Sequence, residues 1–117
     1  MASISIILRR PPYGTVDASE ALRHALGGAT NDMEVKLLLV DGGVHTARKD
    51  QDVSQTEYLN AGEGIQDCID MGVAVSADEA SLKREQIGND CLIEGVTISN
   101  GAEIADLISK TDTTMIF

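Results

Sequence analysis

The sequence has few aromatic residues: two Tyr, one Phe and no Trp among 117 residues. The hydrophobic core must therefore be aliphatic, and a hydrophobic fraction of 43% is sufficient to form one. A chain of this length favours a single domain, which we assign to residues 1–117.

Cysteine is equally scarce, with only Cys68 and Cys91. Their spacing matches neither a CxxC motif nor a zinc site, so we expect no metal. Cys68 falls on the apolar stripe of a predicted helix, and Cys91 comes just before the fourth predicted strand. The simplest interpretation of both cysteines is a small buried hydrophobe.

Basic residues are outnumbered: nine Lys and Arg stand against nineteen Asp and Glu, giving a formal charge of −10. This charge argues against direct binding of nucleic acid and against an anionic membrane surface, because phosphates would be repelled. No apolar run approaches the roughly 20 residues that a membrane helix needs. The first residues have no basic leader, so we expect a cytoplasmic protein. No glycine-rich phosphate fingerprint is present, and we expect no cofactor.

Strand and helix patterns alternate along the chain. Apolar strands are predicted at 3–8, 35–40, 73–75, 92–98 and 113–117. Each helix is predicted to begin at a pair with the three-residue spacing of a capping box: Asp17 and Glu20, Ser54 and Glu57, Ser76 and Glu79, Asn100 and Glu103. Gly27-Gly28 is expected to end the first helix. The alternation predicts an α/β fold of three layers, α/β/α, with a five-stranded, mostly parallel sheet.

Ligands of open α/β sheets bind outside the carboxyl ends of the strands. The polar residues and glycines expected there are Arg9, Arg10, Tyr13, Gly14 and Thr15 after the first strand, Asp41, Gly42, Gly43 and His45 after the second, Ser76 and Asp78 after the third, and Ser99 and Asn100 after the fourth. Asp78 has a structural interpretation, since a carboxylate in a first helical turn is stabilised by the helix dipole. Its functional interpretation is that the strand-to-helix junction at Ser76 and Asp78 forms the floor of a site.

The whole chain resembles the DsrE/DsrF/DsrH family of small sulfur-relay proteins, which includes the TusB, TusC and TusD subunits. Four segments carry the resemblance: Ile4 to Leu8 running into Pro12-Tyr13-Gly14-Thr15; Leu39 to Val44; Gly72 to Val75 with Ala80 to Arg84; and Leu92 to Val96 with the closing Thr114 to Phe117. The Pro-Tyr-Gly-Thr segment looks most like the DsrF/TusC subunit. The resemblance implies a flavodoxin-like sheet and assembly into trimers or hexamers, or with partner proteins of the relay.

Sulfur-carrying members of that family place a cysteine at the start of the helix after the third strand. A helix N-terminus lowers the pKa of a thiol, and the thiolate accepts sulfur as a persulfide. Counted from Gly72, this position is Asp78 in the present sequence, with His45 and Tyr13 expected near it. A carboxylate cannot carry sulfane sulfur. The resemblance therefore implies a subunit that does not carry sulfur, with Cys91 as the fallback carrier.

Two functions stay open at this point. The first is a non-carrier or structural subunit of a sulfur-relay oligomer; if it is active, the resemblance implies sulfurtransferase-type chemistry. The second is a module that binds a nucleotide or another anion in the crevice at the carboxyl ends of the strands. The second is suggested by Arg9-Arg10 and by the helix N-termini around that crevice.

Overall fold

A computed structural model describes residues 2–117 as alternating strands and helices. In chain order these are β1 (Ser3–Leu8), α1 (Asp17–Thr30), β2 (Glu34–Leu39), α2 (Ala61–Asp70), β3 (Ala74–Asp78), α3 (Glu79–Arg84), β4 (Thr97–Ser99), α4 (Gly101–Ser109) and β5 (Thr113–Ile116). Two 3₁₀ segments, Asp41–Ala47 and Asn89–Cys91, lie between them. No helix in the described part of the chain is long and apolar enough to cross a membrane.

All five strands form one sheet in the order β4-β3-β2-β1-β5, and every neighbouring pair is parallel. The chain moves from β1 to β4 in one direction and then returns to add β5 on the free side of β1. Right-handed crossovers therefore put α1, α2 and α3 on one face of the sheet and α4 on the other. The predicted three-layer α/β/α fold is confirmed, and the sheet is entirely parallel.

The core lies between the sheet and the first helical layer. Alternate residues of β1 and β2 point into it, with Ile6 beside Leu37 and Leu8 beside Leu39 in the parallel register. These four side chains are fully buried. Among residues 2–117, no aromatic ring is found in the set of largest fully buried side chains, in keeping with the aliphatic core that the composition predicts.

The second helix begins later than predicted. Ser54 and Glu57 do not begin it; α2 starts at Ala61, and Asn60 Oδ1 accepts the amide of Glu63 at 3.2 Å. Ser54 N instead donates to Asp52 Oδ1 at 2.9 Å. Such a local turn gives the backbone an alternative to helix, and residues 51–60 accordingly form a connecting loop.

Two further boundaries differ from the sequence prediction. α1 continues through Gly27-Gly28 to Thr30, whose hydroxyl donates to Leu26 O at 2.8 Å. β4 covers only 97–99, because Gly95 turns the chain with a φ of +103° and Leu92 instead bridges Arg48 in antiparallel fashion. The capping box of Asn100 and Glu103 is confirmed, with both reciprocal hydrogen bonds at 2.9 Å.

Candidate functional site

Asp78 ends β3 and caps α3, so it lies at the carboxyl edge of the sheet. Its Oδ2 accepts the Ser81 hydroxyl at 2.6 Å and the Ser81 amide at 3.0 Å. The predicted capping role of Ser76 is wrong, because Ser76 is a buried residue within β3. Asp78 and Ser81 have the same three-residue spacing as Ser76 and Glu79, two residues further along the chain, and it is this later pair that forms the N-cap.

Ser81 extends this contact to the end of β2. Its hydroxyl oxygen accepts the Asp41 amide at 2.8 Å, and Arg84 Nη2 donates to Asp41 Oδ1 at 2.7 Å. We call Asp41, Asp78, Ser81 and Arg84 the Asp41 network. Its buried centre is Ser81, and its hydrogen bonds join the 3₁₀ segment after β2 to α3. The network saturates Oδ2 of Asp78 with local donors, which is the geometry of a structural cap.

His45 reinforces the same junction. Its Nε2 lies 3.0 Å from Glu85 Oε1, just beyond the end of α3. Both side chains are about 30% exposed or less, so the pair is partly shielded from water. His45 therefore contacts Glu85, the residue after the C-terminal end of α3, whereas Asp78 caps the opposite, N-terminal end of that helix.

Gly42 and Gly43 are packed against the chain that leaves β1. A Cβ atom on Gly43 would lie 2.1 Å from the Leu8 carbonyl oxygen, and one on Gly42 would lie 2.9 Å from the Pro11 ring. Gly43 N also donates to Arg9 O at 3.2 Å and to Val40 O at 2.9 Å. The two glycines thus allow the 3₁₀ segment to cross the ends of β1 and β2 closely.

Tyr13 and Gly14 belong to a second group of contacts, at the start of α2, whereas the Thr15 hydroxyl accepts the Asp17 amide at 3.4 Å at the start of α1. The Tyr13 hydroxyl accepts the Ala61 amide at 3.2 Å and donates to Gln51 Oε1. Gly14 N donates to the Tyr58 hydroxyl at 3.1 Å, and the two tyrosine rings have centroids 5.3 Å apart. Tyr13 therefore joins the loop after β1 to the loop before α2. These contacts are separate from the Asp41 network, and Gln51 and Tyr58 were not predicted as members of a site.

The two cysteines differ in environment. Cys68 is fully buried in α2, and burial, with a smaller contribution from the Asp67 charge, raises the pKa of its thiol to about 11. Cys91 is exposed, so the prediction that it is buried is wrong. Its carbonyl accepts the Lys49 amide at 2.8 Å. Solvent therefore reaches the Cys91 thiol, whereas the raised pKa of Cys68 favours its protonated form.

Two surface grooves accompany these contacts. The larger, about 520 Å³, lies between α1 and α2 and is bordered by Thr15, Val16, Leu22, Tyr58 and Leu59; we call it the α1–α2 groove. The smaller, about 350 Å³, lies between the segment after the 3₁₀ turn and the start of α2. Neither is lined by Asp78 or His45. Among residues 2–117, no three His, Cys, Asp or Glu side chains are grouped to hold a metal ion.

Comparison with known proteins identifies relatives along the whole chain. The model of the DsrE/DsrF-like family matches residues 2–117. An uncharacterised protein of Methanopyrus kandleri is 29% identical over 114 residues, covering 97% of this chain and 93% of that protein. The intracellular sulfur oxidation protein DsrF of Allochromatium vinosum is 27% identical over 124 residues, covering 93% of this chain and 91% of its own length.

A solved structure agrees with the architecture. The crystal structure of the ychN protein from E. coli superposes with a TM-score of 0.92 at 23% identity, and the match covers all of both chains. The likeness extends from β1 to β5 and so confirms the fold that the sequence predicts.

Proposed function

The chain belongs to the DsrE/DsrF-like family, and from that premise we propose that it acts in intracellular sulfur relay as a subunit that does not itself carry sulfur. The support for the pathway is the relative DsrF, which is described as an intracellular sulfur oxidation protein. The support for the non-carrier role is the residue at the start of α3. Counted from Gly72, the position at which the resemblance to sulfur-carrying members implies a cysteine is occupied by Asp78.

The contacts of Asp78 are the observation on which the proposal rests. The carboxylate caps α3 and holds Ser81, which in turn holds Asp41. A side chain used in this way stabilises the junction of β2, β3 and α3. Its carboxylate supplies the negative charge that is stabilised at a helix N-terminus. A carboxylate, unlike a thiolate, does not accept sulfane sulfur.

Neither thiol replaces the missing one. Cys68 is buried, and its raised pKa keeps it in the thiol form that does not attack a sulfur donor. Cys91 is accessible, but it is the last residue of the 3₁₀ segment after α3 and does not lie at the N-terminus of an α-helix. Its Sγ donates a weak hydrogen bond to the Asp90 carboxylate at 3.9 Å.

The experiment is to incubate the reduced protein with a persulfide donor and to measure its intact mass. The expected result is no added mass of about 32 Da, one sulfur atom. A Cys91→Ser variant is the matched control. A persulfide that forms on the wild type and disappears in Cys91→Ser would make Cys91 the carrier and overturn the proposal.

The same proposal includes assembly into a homo-oligomer, a trimer or hexamer, or with protein partners of the relay. Its support is the exposed apolar surface at the mouth of the α1–α2 groove, where Val16 is 69% and Leu59 is 88% exposed. Apolar side chains clustered this way are typical of a protein contact surface. A cytoplasmic setting is part of the proposal as well, since reducing conditions keep both cysteines free, as they are here.

A further inference from the structure

The smaller groove has an unusual collection of charges. It is lined by Arg48, Lys49, Gly62, Glu63, Ile93 and Glu94, among others, and we call it the Arg48 groove. It lies apart from the Asp41 network, and the proposed sulfur role does not use it. Its volume of about 350 Å³ is within the range of small-molecule sites.

The cations of this groove are unpaired in a chain where most cations are paired. Six of the nine Lys and Arg side chains form an ion pair with a carboxylate: Arg10, Arg23, Lys36, Lys83, Arg84 and Lys110. Within residues 2–117 the three that do not are Arg9, Arg48 and Lys49. Two of those three are adjacent and line the same groove.

Two donors at the groove also have no acceptor. Arg48 Nε is shielded from solvent, and no hydrogen-bond partner is found for it in the described part of the chain. In the first turn of α2, the amides of Ala61, Glu63 and Gly64 donate to Tyr13 or Asn60, whereas that of Gly62 has no recorded acceptor among residues 2–117. Because solvent does not reach Nε, an anion in the groove would contact the terminal guanidinium nitrogens of Arg48 and the Gly62 amide, and hydrogen bonds between charged partners are the strong ones.

The groove is not simply an anion site, because carboxylates line it too. Asp50, Glu63 and Glu94 form no ion pair within residues 2–117 and give the lining one more negative than positive charge. A free anion would meet these carboxylates, and the net charge of −10 would repel it further. A ligand with both an anionic and a cationic group would satisfy the two sets of charges together.

We propose that the Arg48 groove binds a small zwitterion of the free amino acid class. The ligand's carboxylate contacts Arg48, Lys49 and the Gly62 amide, its ammonium group faces the carboxylates of Glu63 and Glu94, and its side chain packs on Ile93. The recognition is electrostatic at one end and apolar at the other, as in most small-ligand pockets.

The test is a ¹H–¹⁵N NMR titration of the full chain with L-valine and two analogues that each lack one charge. Isovalerate keeps the isopropyl group and the carboxylate, and isobutylamine keeps the isopropyl group and the ammonium. We expect L-valine to shift the amides of Gly62 and Lys49, with each analogue binding at least about tenfold more weakly, a loss of about 1.4 kcal/mol. Equal binding of isovalerate, or no shift with L-valine at its solubility limit, would overturn the proposal.

A pair of charge variants locates the site. Lys49→Gln removes an exposed cation that lines the groove, and Arg9→Gln removes an exposed, unpaired cation that does not. We expect the first to weaken L-valine binding about tenfold, the loss of one charge-assisted hydrogen bond, and the second to leave it unchanged. If both variants bind L-valine equally well, the groove is not the site.

Discussion

At the residue scale, the buried thiol of Cys68 makes stability depend on pH. Its pKa is raised from an ordinary value of 9.0 to about 11 in the folded protein. In the unfolded chain the thiol ionises first. The contribution of the Cys68 thiol to the free energy of unfolding is therefore constant below pH 9.0. As the pH rises from there towards about 11, only the unfolded state loses the proton, so the protein becomes less stable. The total loss is roughly 2–3 kcal/mol.

This pH dependence is measured by urea unfolding across that pH range, with Cys68→Ala as the comparison. The variant is less stable at neutral pH because it leaves space in the core. We expect its stability to fall less steeply with pH than that of the wild type. Parallel pH curves for the two proteins would show that Cys68 ionises in the folded state as easily as in the unfolded one.

Individual residue roles were predicted from the sequence only where they depend on near neighbours. Asp78 was correctly placed at the edge of the sheet, because its strand and helix are both local patterns. The role of Gly43 was not predictable, since it follows from the Leu8 carbonyl that lies where a Cβ would be, 35 residues earlier in the chain. The pairing of His45 with Glu85, across 40 residues, was hidden for the same reason.

At the element scale, α3 depends on its cap. Asp78→Ala removes the acceptor for both the amide and the hydroxyl of Ser81. We expect a loss of about 1–2 kcal/mol in the free energy of unfolding, measured with urea, because cap removal is joined by a buried hydroxyl that loses its partner. Asp78→Asn keeps an acceptor oxygen and is expected to lose less. An Asn variant as unstable as the Ala variant would mean that the charge of Asp78, and not its hydrogen bonds, stabilises the helix.

Helix starts show why elements are easier to predict than their boundaries. The same three-residue spacing occurs at Asn100 and Glu103, where a capping box forms, and at Ser54 and Glu57, where none does. At the second pair the Ser54 amide donates to the Asp52 carboxylate, and the helix begins only after Asn60, which caps it. The three-residue spacing is therefore not sufficient for a cap, because a competing turn nearby can occupy the backbone amide that the cap would use.

At the scale of the whole molecule, the exposed groove between α1 and α2 predicts assembly. We expect native mass spectrometry to give a trimer or hexamer of the 12.4 kDa chain. Leu59→Ser removes the most exposed large apolar side chain at the groove and is expected to shift the mass towards the monomer. Met71→Ser is the control, because Met71 is 50% exposed at the other end of α2 and outside the groove. A monomeric wild type, or equal effects of the two variants, would contradict the prediction.

The fold as a whole was readable from the sequence because each layer has its own periodic signal. Near-continuous apolar runs such as 35–40 predicted strands buried on both faces, and alternation with helices predicted parallel pairing. The strand order was not readable. Nothing local at 113–117 indicates that this last strand pairs with the first one and not with β4, which precedes it.

The position of β5 beside β1 has a consequence for folding of the chain during its synthesis on the ribosome. Asp112 hydrogen-bonds to Ser3 across 109 residues, and Phe117 N donates to Ile7 O. While the chain is being translated, one flank of β1 thus stays an open edge with unsatisfied amides and carbonyls, the kind of edge that recruits strands from other chains. Neighbouring nascent chains are therefore most prone to pair through their β1 edges before residues 113–117 have left the ribosome.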